Sequence, residues 1–171
     1  MYDDAFSGMS RLEWLGLRNF GLATLPSLGS IKNTLSEINF SYNQISHIPD
    51  DYFEEFTRLT KIILVGNLLK AFTLPEHSPL RIINLSCNEI STMPDFAAVS
   101  ETLQTVNLDG NFLDDCGSLC NGRLPNLEEV RLNGNLFESF PIDEIAHNWN
   151  LDVLSLNGNP IHTLMDSRMS L

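Results

Sequence analysis

The sequence predicts an α/β solenoid, in which similar coils stack side by side and share one wall of about seven short parallel β-strands, the opposite wall being irregular or built of short helices. Three observations predict it. An eleven-residue apolar motif recurs along the chain with starts at Leu12, Leu35, Leu59, Leu80, Leu103, Leu127 and Leu151, so the period is 21 to 24 residues, a range that marks stacked repeats. Apolar and other residues alternate in the middle of each copy, as they do in a strand with one buried face. Asparagine closes six of the seven copies at the ninth position, as Asn43, Asn67, Asn88, Asn111, Asn135 and Asn159.

Residues 1–11 read as the far half of a coil whose strand is missing. The first copy then places Leu12, Leu15, Leu17 and Leu22 at motif positions one, four, six and eleven, but carries Phe20 where the others have asparagine. The second repeats the apolar set as Leu35, Ile38, Phe40 and Ile45, and the third as Leu59, Ile62, Leu64 and Leu69. The fourth gives Leu80, Ile83, Leu85 and Ile90; the fifth, Leu103, Val106, Leu108 and Leu113. Leu127, Val130, Leu132 and Phe137 form the sixth, and Leu151, Leu154, Leu156 and Ile161 the seventh. Positions four and six therefore face a core, while three, five and seven face away from it. An asparagine at position nine sits in the turn that leaves the strand, where its amide can satisfy backbone groups of its own coil and the next. Gly66, Gly110, Gly134 and Gly158 precede it, as a sharp turn favours. No copy can bury its apolar face alone, so the coils depend on their neighbours.

With these residues on the page, the chain resembles the leucine-rich repeat family over nearly its whole length, as a single domain spanning 1–171. Between motifs it carries a second pattern of Phe, Pro and further apolar residues: Phe6 to Met9; Ile48 and Pro49 with Phe53 and Phe56; Phe140 and Pro141 with Ile142 and Ile145. That pattern is similar to the 24-residue subclass found in extracellular receptors and matrix proteins. The resemblance implies a horseshoe segment with a concave parallel sheet and a convex outer side. It also implies a non-catalytic module that binds a protein partner. Extracellular members usually shield both ends with cysteine-rich caps, and neither pattern occurs in this sequence. Three explanations fit: a piece of a longer protein, unusual polar caps, or shielding by association.

Composition narrows the function classes. The chain has 22 acidic and 10 basic residues, a net charge of −12, with no run of like charge longer than two. Phosphate-backbone binding needs a basic stripe, so nucleic acid is not an expected partner. The acids read first as a solvated face that keeps a repetitive apolar protein soluble. No segment approaches the roughly 18 apolar residues of a membrane span, and the first residues carry no signal region. His47, His77, His147 and His162 are scattered, with no nucleophile motif, phosphate loop or metal signature beside them. An enzyme, a cofactor and a metal site are not expected.

Three cysteines cannot all pair. Cys116 and Cys120 lie in a connecting loop and either close a small disulfide, if the compartment is oxidising, or stay as thiols; Cys87 occupies motif position eight and is expected to be unpaired. Asn39 and Asn84 begin Asn-Phe-Ser and Asn-Leu-Ser tripeptides, which makes them glycosylation candidates at motif position five.

Function is then expected on the concave wall, whose residues the repeat register defines. Position three gives Trp14, Glu37, Lys61, Ile82, Thr105, Glu129 and Val153. Position five gives Gly16, Asn39, Ile63, Asn84, Asn107, Arg131 and Ser155, and position seven Arg18, Ser41, Val65, Ser86, Asp109, Asn133 and Asn157. Adjacent strands lie about 4.8 Å apart, so Lys61, Ile63, Val65 and Ile82 are expected to form one exposed patch. Asn107, Asp109, Arg131 and Asn133 would continue it, with Trp14 as a separate anchor or a cover for the first coil. The same apolar residues also suit a strand for its own sake. Two functions fit: a recognition module of an extracellular or cell-surface receptor or matrix-type protein, and an intracellular, cytoplasmic scaffold or regulatory subunit that positions a signalling enzyme. The sequence sets no oligomeric state.

Overall fold

A computed structural model of the chain describes residues 5–76 and 78–165. Residues 1–4 of the expected half-coil, and His77, lie outside the described residues. Each motif contributes one three-residue strand: β1 (Trp14–Gly16), β2 (Glu37–Asn39), β3 (Lys61–Ile63), β4 (Ile82–Asn84), β5 (Thr105–Asn107), β6 (Glu129–Arg131) and, after one strand on the other wall, β8 (Val153–Ser155). These seven join in that order into one sheet, every neighbouring pair parallel. The register is the one the repeat demands, Trp14 opposite Glu37, Glu37 opposite Lys61, Lys61 opposite Ile82, Ile82 opposite Thr105, Thr105 opposite Glu129, and Glu129 opposite Val153.

The opposite wall is irregular, with 3-10 turns at Gly29–Asn33 and Ala97–Val99 and two short helices, α1 (Gly117–Asn121) and α2 (Ile142–Ile145). The segment around Cys116 and Cys120, expected as a loop, is therefore a helical turn. A second, two-stranded parallel sheet also lies on this side, β7 (Ser139–Pro141) with β9 (Thr163–Met165). The repeat pattern did not indicate it, because it pairs segments that lie outside the motif.

Between the walls runs one continuous core. The central motif residues Leu64, Leu80, Ile83, Leu85, Val106 and Leu108 are wholly buried, each removing side-chain apolar area from water that is worth about 1.5 to 3 kcal/mol. Phe53, Phe56 and Phe72 complete the core from the convex side, with ring centroids 5.5 Å (Phe53 to Phe56) and 6.0 Å (Phe53 to Phe72) apart. Tyr52 joins them and donates its hydroxyl to the Pro26 carbonyl of the preceding coil at 2.7 Å. Burial pushes the Tyr52 phenol well above its ordinary pKa.

The asparagines bind two coils each, although the second is the preceding one and not the next. Asn88 shows the pattern: its Nδ2 donates to the carbonyls of Leu64, one coil back, and Leu85, in its own coil, and its Oδ1 accepts from the Leu69 amide. Asn43, Asn67, Asn111, Asn135 and Asn159 repeat it. The turn residue at motif position eight has positive φ in every copy, whether it is Gly66, Gly110, Gly134 and Gly158 or Asn19, Tyr42 and Cys87. Glycine is thus favoured there for a backbone that side-chain-bearing residues adopt at a cost.

Candidate protein-binding face

The sheet places the three expected columns side by side. Pairing in β1–β6 and β8 aligns positions three and five, and amides at position eight extend the alignment to position seven, as in Gly66 to Ser86 O at 2.9 Å and Gly110 to Asn133 O at 2.7 Å. Lys61, Ile63, Val65 and Ile82 do meet on adjacent strands, but they are half-buried rather than openly exposed. The physical reason is crowding: in a parallel sheet in register each side chain is flanked on both sides by its column neighbours. Lys61 is also engaged, its Nζ lying 3.1 Å from the Glu37 carboxylate.

The polar half of the face is a bonded network. The Asp109 carboxylate accepts from the Asn133 amide at 2.7 Å, and Asn133 Oδ1 accepts from Ser155 Oγ at 2.6 Å and the Asn157 amide at 2.7 Å. Asn107 Oδ1 accepts from the Asp109 amide at 2.9 Å. Arg131 pairs with Glu129 on its own strand. These hydrogen bonds hold Asn107, Asp109 and Asn133 in place.

Trp14 is 55% exposed and lies across Gly16; a Cβ on Gly16 would stand 2.4 Å from its ring. The glycine is what lets the indole lie along the strand. One turn away Arg18 stacks on the Tyr42 ring, 4.4 Å from Cζ to centroid, a cation–π contact. Asn39 and Asn84 both use Oδ1 to accept the amide two residues on, from Ser41 and Ser86 at 3.1 Å. Their Nδ2 atoms have no protein partner among the described residues. Ser41 Oγ is buried without a hydrogen-bond partner.

Besides Trp14 and Val153 on the face, exposed apolar groups recur at motif position ten, beyond the strands: Leu68 (43%), Phe112 (50%) and Leu136 (49%). Phe112 and Leu136 sit on consecutive coils. The signal was readable, because position eleven points inward as Leu69, Leu113 and Phe137 and alternation sends position ten outward. Trp149, the most exposed large apolar side chain described, belongs to no motif column and could not have been placed.

On the convex side Cys116 and Cys120 form a disulfide, and Cys87 is a free, exposed thiol. Buried Asn148 ties that wall together, accepting from the Leu124 amide at 2.9 Å and donating to the Leu119 carbonyl at 3.1 Å. Among the described residues no group of three or more His, Cys, Asp or Glu could hold a metal ion, and no helix is long and apolar enough to cross a membrane.

No family model matches the chain. Repeats, sheet and ladder nonetheless define one class, and known proteins agree. Lumican of Homo sapiens is 33% identical over 141 residues, covering 77% of this chain and 40% of the relative. The chain thus spans about two fifths of the length of that relative. Among solved structures, the LRIM1/APL1C complex superposes with a TM-score of 0.70 at 23% identity, over 96% of this chain and 34% of that one. The TLR13–ssRNA13 complex gives 0.75 at 22%, over 94% and 23%. The chain belongs to the leucine-rich repeat family.

Proposed function

We propose that this chain is a non-catalytic recognition module that binds a protein partner through its concave sheet, in an extracellular or cell-surface setting. The observation that carries the reading is the in-register face itself: the apolar residues Ile63, Val65 and Ile82 sit at its middle, flanked by Lys61 and by the fixed network of Asn107, Asp109, Arg131 and Asn133. An apolar centre with a polar rim is the usual anatomy of a protein-binding site. Trp14 supplies a rigid aromatic anchor at one end, and Phe112 and Leu136 extend the contact beyond the strands. The Cys116–Cys120 disulfide supports an oxidising compartment; a glycan on Asn39 or Asn84, each beside Ile63 in the sheet, would crowd this face and push the contact elsewhere.

Replacing Ile63 and Ile82 together by Asp is expected to abolish capture of the partner in pull-down from the native source, with an unchanged circular dichroism spectrum. Undiminished capture would remove the concave face as the site. One observation favours the second reading, an intracellular scaffold: the exposed thiol of Cys87 suits a reducing compartment. Mass spectrometry of native material separates the two, since reduced Cys116 and Cys120 with unmodified Asn39 and Asn84 would overturn the extracellular reading.

A further inference from the structure

The coil that starts at Leu59 has 21 residues, where its neighbours have 24 and 23. Its strand, β3, pairs in register on both sides, so the shortening falls entirely on the convex wall. There the chain runs directly from Phe72 to Leu74 without a helical turn, while the next coil builds the 3-10 turn at Ala97–Val99. A notch of about 670 Å³ opens between them.

Its floor is apolar, made by Phe72 (5% exposed), Leu74 (7%) and Pro94, with half-buried Met93. The small side chains of Ala71, Ala97 and Ala98 leave its walls open to an incoming backbone. Among the described residues lining it the ionisable ones are Glu76 and Asp95, both acidic and both exposed. Asp95 keeps its place through Oδ1, which accepts the Ala97 amide at 3.0 Å. Past Asp95 and Ala97 the notch runs into a second hollow of about 320 Å³ bordered by Ser118, Arg123 and Leu124. The two together make a furrow across the convex wall, which suits an extended chain more than a compact small molecule.

We propose that this furrow is a second docking site, separate from the concave face, for an extended peptide segment of a protein partner that carries a large apolar side chain next to lysine or arginine. The apolar residue fills the notch over Phe72 and Leu74, and the basic residue meets Glu76 and Asp95. Charge complementarity at the notch selects the partner, because an acidic residue beside the apolar one would face the Glu76 and Asp95 carboxylates, Arg123 standing only beyond them in the second hollow.

The test uses a fluorescein-labelled peptide of about eight alternating lysine and leucine residues, followed by anisotropy, with the glutamate–leucine version as its control; a segment of that length spans about 27 Å when extended. The lysine peptide is expected to bind and the glutamate peptide not. Ala98→Trp, which fills the notch from an exposed position, is expected to weaken binding about tenfold or more, and so is Glu76→Gln with Asp95→Asn, which keeps the turn's acceptor. The Ile63→Asp, Ile82→Asp protein should bind the peptide as the parent does, which separates this site from the concave one. Absence of binding, equal binding of both peptides, or full binding by the filled notch would overturn the proposal. If Ala98→Trp does not fold, Ala71→Trp blocks the same notch.

Discussion

Asn111 is the clearest single residue in which sequence, packing and stability meet. Its Nδ2 donates to the carbonyls of Leu85 and Leu108 at 3.0 Å, and its Oδ1 accepts from the Ile90 amide at 3.0 Å, all out of contact with water. Asn111→Leu keeps the volume and removes these bonds together with a longer one to the Asp109 carbonyl, leaving backbone groups of two coils buried and unpaired. Each such group costs about 1 to 3 kcal/mol, so the substitution is expected to destabilise by at least about 2 kcal/mol in urea titration; a loss below about 0.5 would show that the column is not structural. The role of the asparagines was legible because one residue type recurs at one position. Which coil they serve was not, since the same spacing fits bonding forwards or backwards and only the positions of carbonyls and amides decide it. The half-burial of Ile63, Val65 and Ile82 was illegible for a related reason. A column tells which side chains are neighbours, not how much area neighbours take from one another.

The elements differ in how they advertise themselves. Strands β1–β6 and β8 were legible because each sits in a motif with period-two burial, whereas β7 and β9 pair segments that share no motif and emerge only when the coils are stacked. The convex layer has its own chemistry at Tyr52, packed 5.0 Å from Phe53 and 5.8 Å from Phe56 by ring centroids. Its folded pKa is raised above the unfolded value of about 10. A raised pKa means that the neutral phenol is favoured in the fold, so its contribution is complete below about pH 10 and is lost as pH climbs from there toward the folded value. Thermal midpoints are therefore expected to fall steeply above about pH 10, and Tyr52→Phe should flatten that fall while costing about 1 kcal/mol at neutral pH for the lost bond to Pro26. Parallel alkaline profiles for the two proteins would contradict the assignment.

Across the whole molecule burial is graded. Leu85 and Leu108 are fully buried, while Leu151, Leu154 and Leu156 in the last described coil are half-buried and Val153 is 40% exposed. Stability in stacked repeats is close to a sum of coil and interface contributions, so identical changes should cost different amounts along the chain. Leu85→Ala is expected to destabilise by about 2 to 5 kcal/mol, in the range of a core truncation. Leu154→Ala should cost less than half of that in the same urea titration, and equal costs would deny the gradient.

The backward reach of the asparagines has one more outcome: the unit that can be spliced is a complete turn of the solenoid. If residues 80–102 were excised, Asn111 would come to rest against the Leu64 carbonyl and the Leu69 amide, the same groups that Asn88 serves now. Lys61–Ile63 would meet Thr105–Asn107 in an unchanged alignment of three residues against three. A chain shortened in this way should keep a β-type circular dichroism spectrum and a single cooperative melt, whereas removing half as many residues from the same stretch should abolish both. Length, in such a molecule, is a quantity counted in turns.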